Sequence, residues 1–321
     1  MKKNQYSYGI YLLILVLLCS LLSGCQEVED QNIHSNHQSN QQSNQQSSQL
    51  LEESSESFEE TIQETEQESQ TESSQREEES AQEEIKQLVE FEVKPGAYLT
   101  EILTDLVNAG WGESVDMLLD MLEQMDRDRH LYWKQIDNEN ERAFAAEGYI
   151  APGWYQWEET AAVEEVLELL VGSWDELLTE EMLQKAAAQG YTVDEVLIMA
   201  SIVEWESSYD PYNIVKANVA AVVRNRIESD TALQMDVTIF YLQESLAPYR
   251  DPEQYEGFYD TYIRSSLPAG PIGSPSIDSI NAVLEPADTN DLFFVYDEEG
   301  NYYFAEDYEQ HLVNCDLAGI Y

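Results

Sequence analysis

From Gln26 to Glu84 the chain is built mainly of Gln, Ser and Glu, and this stretch decides where a fold can form. So few apolar residues cannot bury enough surface to offset chain entropy, so the segment is predicted to be disordered. Its like charges extend it, which gives a solvated tether over residues 25–84. Folding is thereby confined to about Ile85–Tyr321, where apolar and aromatic residues return at ordinary frequency. That length suits one domain or two small ones. The formal charge of −49 excludes ordinary nucleic-acid binding, which needs basic surface.

Ahead of the tether, Lys2 and Lys3 precede an apolar run from Ile10 to Leu22. The run is short for a membrane span, which takes about 20 apolar residues. It fits the core of a secretory signal over residues 1–24. The run ends in Leu22-Ser23-Gly24-Cys25, which resembles the lipobox of bacterial lipoproteins. The resemblance implies cleavage before Cys25, lipid on its thiol, and a protein held at the outer face of the membrane. With Cys19 removed and Cys25 lipidated, Cys315 has no partner for an internal disulfide. It has no CxxC partner or neighbouring histidine motif and reads as inert. His34, His37, His130 and His311 are scattered without metal-ligand spacing.

The folded part reads as α+β. Val89–Val93 alternates apolar and acidic residues, as a half-buried strand does. Pro95-Gly96 makes a turn, and amphipathic helices follow over Thr100–Asn108 and Ser114–Gln124. This strand and two helices suggest a small module over residues 85–130, with a mainly helical domain over 131–321. Glu147–Tyr155 reads as an aromatic loop. Thr160 is placed to cap a helix ending near Gly172, and Thr179 one ending near Gly190. Thr192-Val193-Asp194-Glu195 is a capping box opening a helix that reaches about Glu206. Another helix is expected over Tyr212–Ile227. Leu292–Tyr296 and Tyr302–Phe304 flank Glu298-Glu299-Gly300-Asn301, a hairpin signal.

The chemistry is written in Met199-Ala200-Ser201-Ile202-Val203-Glu204-Trp205-Glu206-Ser207. Helical spacing sets Glu206 on the stripe of Met199, Ile202 and Val203, in the last turn. Burial along that stripe and the negative end of the helix dipole both favour the protonated carboxyl. Such a group can act as a general acid near neutral pH. Glu204 lies about 200° around the helix, so the two acids cannot face one bond as a glycosidase pair does. The alternative is a glutamate that simply ends the helix and meets solvent, Arg224 or Arg226.

The same segment resembles the "ASIVEKE" signature of the YceG-like endolytic transglycosylases. Further resemblances follow in order. Val222–Ile227 is similar to "VFYNRL", Leu233–Tyr241 to "LQSDPTVIYG", and Tyr259–Tyr262 to "YNTY". Leu267–Pro275 is similar to "LPPGPIANP", Leu284–Thr289 to "LNPADT", and Leu292–Val295 to "YLYFV". Upstream, Glu147–Tyr155 resembles "EGYLFPDTY", and Val89–Gln124 resembles the family's LysM-like piece. The sequence departs at Val237, where the pattern has proline, and at Trp205, where it has lysine.

The resemblance implies that Glu206 is the one catalytic acid/base. By the same resemblance it is expected to cut between N-acetylmuramic acid and N-acetylglucosamine and to leave a 1,6-anhydromuramyl end, with no metal or organic cofactor implied. Sugar-binding roles are expected for Glu147, Tyr149, Ser207, Asn225, Gln234, Asp236, Thr238 and Tyr262, whose amides, hydroxyls and rings suit a glycan. Implied partners are peptidoglycan glycan strands, peptidoglycan synthases and, through the lipid, the membrane. The main alternative is a glycan-binding or scaffolding lipoprotein that has lost turnover, prompted by Val237 and Trp205. A solute-binding lipoprotein would need a two-lobed α/β pattern, which the helix punctuation lacks.

Overall fold

The computed structural model describes residues 87–210 and 213–320. The signal, Cys25, the tether, His34 and His37 lie outside the described residues. Strand β1 (Leu88–Val93) alternates as expected, with Phe91 and Val93 buried and Glu90 and Glu92 outward. Its partner is part of the stretch expected to be a loop. Gly153–Glu158 forms β2, antiparallel to β1, with Phe91 opposite Tyr155 and Val89 opposite Trp157. Trp154 and Gln156 face out while Trp157 faces in, a period of two masked by aromatic residues on both faces.

Helices α1 (Leu99–Asn108) and α2 (Val115–Gln124) follow β1 within a residue or so of the expected bounds. Ile102, Leu103 and Leu106 on α1 and Leu118, Leu119 and Leu122 on α2 are buried. Trp111, between β1 and β2 in sequence, meets Trp157 edge-on with ring centres 5.3 Å apart. Residues on either side of the expected boundary at 130/131 therefore share one sheet and one core, within a single unit, Glu83–Tyr321.

Helix α3 (Val163–Val171) begins later than Thr160 would have it. Ala162 takes the cap position, and the Glu165 carboxylate accepts the Ala162 N–H at 3.2 Å. The short α4 (Ser173–Leu177) follows. Then α5 (Glu180–Gln189) runs from a Thr179 cap to Gly190, whose φ of 81° closes it in the left-handed region. Helix α6 (Val193–Glu206) opens on the expected capping box: Thr192 Oγ1 accepts the Glu195 N–H at 3.1 Å, and the Glu195 carboxylate accepts the Thr192 N–H at 2.8 Å.

Around α6 stand α7 (Lys216–Glu228), α8 (Asp236–Phe240) and α10 (Ile277–Leu284), with the small α9 (Glu256–Tyr259) further along the chain. Every residue from Val196 to Val203 is consequently buried, so the expected apolar stripe is in fact an apolar shell. Helix α7 starts at Lys216, and Tyr212, its expected start, lies outside the described residues. Asn213 has a φ of 56°, and the Asp210 carboxylate takes the Val215 N–H at 2.7 Å, which together turn the chain before it can coil. The chain closes with the expected hairpin, β3 (Phe293–Tyr296) and β4 (Tyr302–Ala305), and with α11 (Tyr308–Leu317). Among the described residues no helix is long and apolar enough to cross a membrane.

Candidate active site

Glu206 occupies the last turn of α6, with only 8% of its surface exposed. Burial and then the negative charge of Asp236 push its carboxyl up to about 8, against a partial pull downward from the Val237 N–H. Neither candidate arginine neutralises it. Arg226 points its donors at backbone oxygens of Ala232, Leu233 and Leu292 and at Gln234 Oε1. Arg224 reaches the Ala287 carbonyl and lies 3.9 Å from Glu228. A carboxyl buried without a cation holds its proton at neutral pH, as an acid catalyst must.

Glu204, two residues earlier, lives in the opposite environment. Its Oε2 accepts from Lys216 Nζ at 2.9 Å, from the Ser276 N–H at 2.9 Å and from Ser279 Oγ at 2.6 Å, and the Ser276 hydroxyl adds a further bond. Burial pulls its pKa upward, but these donors outweigh it and hold the carboxyl below its ordinary value. Glu204 is thus an ionised strut joining α6, α7 and the start of α10. The roles of the two acids are set by what surrounds them.

The segment leading into α8 carries the exposed Gln234, and Asp236, also exposed, is the first residue of the helix. Tyr262 donates its hydroxyl to Asp236 Oδ1 at 2.6 Å, and its ring is 46% exposed. Gln234 has a φ of 53°, a left-handed conformation that costs a side-chain-bearing residue about 1 kcal/mol or more. Arg226 holds it there through the bond to its side chain, while the Gln234 N–H donates to the Thr261 carbonyl at 3.1 Å. The Arg226 guanidinium also lies 4.9 Å from the centre of the Phe293 ring. The proton-bearing carboxyl thus lies within electrostatic reach of the Asp236 carboxylate and the Tyr262 phenol.

The other expected sugar contacts turn inward. Glu147 is 1% exposed: its Oε1 accepts the Leu99 N–H at 2.9 Å, satisfying the start of α1, and burial pushes its carboxyl up to about 8. Tyr149 donates to Asp194 at 2.7 Å beside the Arg142–Asp194 ion pair. Ser207 Oγ bonds back to the Val203 carbonyl. Asn225 Nδ2 donates to the carbonyls of Thr289 and Asp291 at 2.9 and 3.0 Å. Thr238 Oγ1 donates to the Met235 carbonyl at 2.9 Å and has no exposed surface. In each case at least one polar atom has found an internal partner, although Glu147 Oε2 has none.

Two organising residues went unread in the sequence: Arg226, weighed only as a partner for Glu206, and Tyr302, whose hydroxyl meets the Glu206 carbonyl at 2.7 Å. An arginine on the buried face of α7 was the available signal for the first; the second depends on long-range packing. Cys315 also proves to have a histidine neighbour, His311 one helical turn away at 3.6 Å, while burial and then Asp316 raise its thiol pKa and so favour the thiol over the thiolate. A groove of about 700 Å³ lies on the Glu204 side of α6, lined by residues including Glu92, Glu101, Trp205 and Tyr249. It does not include Glu206, so the open volume and the perturbed acid are on different faces of the helix.

Residues 33–316 match the YceG-like family. The endolytic murein transglycosylase of Streptococcus pneumoniae is 28% identical over 176 residues, covering 52% of this chain and 31% of that one. The endolytic murein transglycosylase of Bacillus subtilis is 27% identical over 172 residues, covering 51% of this chain and 46% of that one. The chain thus spans less than half the length of these curated relatives. The crystal structure of a yceG-like protein from Listeria monocytogenes superposes with a TM-score of 0.59 at 23% identity, over 70% of this chain and 75% of that one, and shares the fold.

Proposed function

The chain belongs to the YceG-like family, and we propose that it is a peptidoglycan lytic transglycosylase with Glu206 as its single acid/base. The observation that carries this reading is a carboxyl buried at a helix end, raised to about 8 and without a cationic partner among the described residues. In the proposed reaction Glu206 gives its proton to the glycosidic oxygen between N-acetylmuramic acid and N-acetylglucosamine. The muramyl C6 hydroxyl then attacks the anomeric carbon and passes its proton to the same carboxylate. The products are a 1,6-anhydromuramyl end and a free N-acetylglucosamine hydroxyl, and the enzyme returns to its starting state. One carboxyl suffices because the nucleophile belongs to the substrate.

Asp236 keeps its neighbour protonated through its charge, and Tyr262 and Gln234 offer a ring face, a hydroxyl and an amide to the sugars. The names of the pneumococcal and Bacillus relatives support the same reaction class. A LysM-like role for β1, α1 and α2, lipid on Cys25, an extracytoplasmic position at the membrane, and association with peptidoglycan synthases belong to this reading.

Mass spectrometry of purified glycan strands, incubated with the full chain and with Glu206→Gln, tests it. New anhydromuramyl ends made by the wild type and lost in the variant are the expected result. Reducing ends would mean hydrolysis, and bound but intact strands would mean a scaffold.

A further inference from the structure

The C-terminal hairpin reaches the end of the helix that carries Glu206. On one of its faces Phe294 pairs with Phe304, and Tyr296 with Tyr302. Tyr302 packs between these rings, with centroids 5.1 Å from Tyr296 and 6.3 Å from Phe304. Tyr209, just past α6, packs against Tyr296 with tilted rings 5.0 Å apart, and a Cβ on Gly300 in the hairpin turn would lie 3.1 Å from the Tyr209 carbonyl. The helix end and the hairpin therefore touch along both strand and turn.

Within this contact the Tyr302 hydroxyl donates to the backbone carbonyl of Glu206 at 2.7 Å. The last carbonyls of a helix have no intrahelical donor, and a terminal residue free to fray has no fixed side-chain direction. We propose that Tyr302 is a positioning residue for Glu206: its phenol supplies the donor that a further helical turn would have given, and so fixes where the acid points. The role rests on the reading of Glu206 as the acid. Arg226 anchors the same hairpin from its other end, through the Leu292 carbonyl just before β3, and binds the Gln234 side chain as well. The hairpin is thus tied both to the backbone of the acid and, through Arg226, to Gln234.

Tyr302→Phe keeps the ring packing and removes only the donor. Tyr303→Phe is the control, because the Tyr303 hydroxyl bonds Asp297 within the hairpin and does not touch α6. The full chain carrying Tyr302→Phe should lose about ten- to a hundredfold in kcat with KM within about twofold, since only the acid's alignment is relaxed. Its alkaline limb should also move down from about 8, because a frayed Glu206 reaches water. The Tyr303→Phe chain should keep both values.

A ¹³C NMR titration of the Glu206 carboxyl reads the same downward movement without turnover. Failure of the transglycosylase reading and failure of this role are therefore separable. A Tyr302→Phe chain with the wild-type carboxyl titration and kcat overturns the proposal. Equal losses in Tyr302→Phe and Tyr303→Phe, alongside equal drops in melting temperature, overturn it too, because they would reduce the effect to hairpin stability.

Discussion

Val237 stands where the family pattern has a proline, and its backbone N–H pulls the pKa of Glu206 downward while burial and Asp236 push it up. Proline is tolerated in the first turn of a helix and has no N–H to give. Val237→Pro should therefore leave the fold intact and shift the alkaline limb of kcat/KM upward, an outcome that a pH–rate profile checks. At Gln234 the backbone and the side chain can be separated. Its φ of 53° suits glycine better, so Gln234→Gly should hold or raise stability by up to about 1 kcal/mol in urea unfolding, while activity falls. A glycine variant as active as the wild type would remove Gln234 from the glycan site. The spacing of Glu204 and Glu206 was legible because helix geometry alone separates their faces. The inward turn of Glu147 and Thr238 was not, since a motif records which residue is present and not which way its polar atoms point.

Elements announced by local chemistry formed where the sequence put them. The capping box at Thr192 and Glu195, the Thr179 cap, Gly190 and the Gly300-Asn301 turn each specify a helix or strand end within a few residues. Strand β2 escaped because its pairing depends on β1, more than fifty residues away, and because Trp154 and Trp157 blur the alternation. Helix α7 began late because Asp210 and Asn213 bind and bend the chain ahead of it. Glu204 carries a prediction at this scale. Glu204→Gln would leave Lys216, 4% exposed, without its carboxylate, and should destabilise the protein by about 3 kcal/mol. The titration of Glu206 should be unchanged in molecules that remain folded. A loss of stability below about 1 kcal/mol would mean that the serines and lysine settle without the acid.

For the molecule as a whole, two buried carboxyls tie stability to pH. Glu147 and Glu206 are both raised from 4.5 to about 8 in the folded protein, so the native state binds protons that the unfolded chain has released. Their contribution is complete below pH 4.5 and is lost as pH rises through about 8. Each should lower the unfolding free energy by up to about 1.4 kcal/mol per pH unit inside that window. The depressed Glu204 acts in the other direction, contributing above the ordinary carboxyl pKa and failing only as pH falls below it. Urea unfolding from pH 5 to 8 should fall steadily, and Glu147→Gln should flatten that slope by about half.

The central claim, one carboxyl serving as both acid and base, is tested most directly by kcat/KM for glycan cleavage across pH. The account predicts a plateau from about pH 5 and a single alkaline limb near 8, with no activity in Glu206→Gln. A bell with an acidic limb that disappears in Asp236→Asn would demand a second catalytic carboxylate and would contradict it.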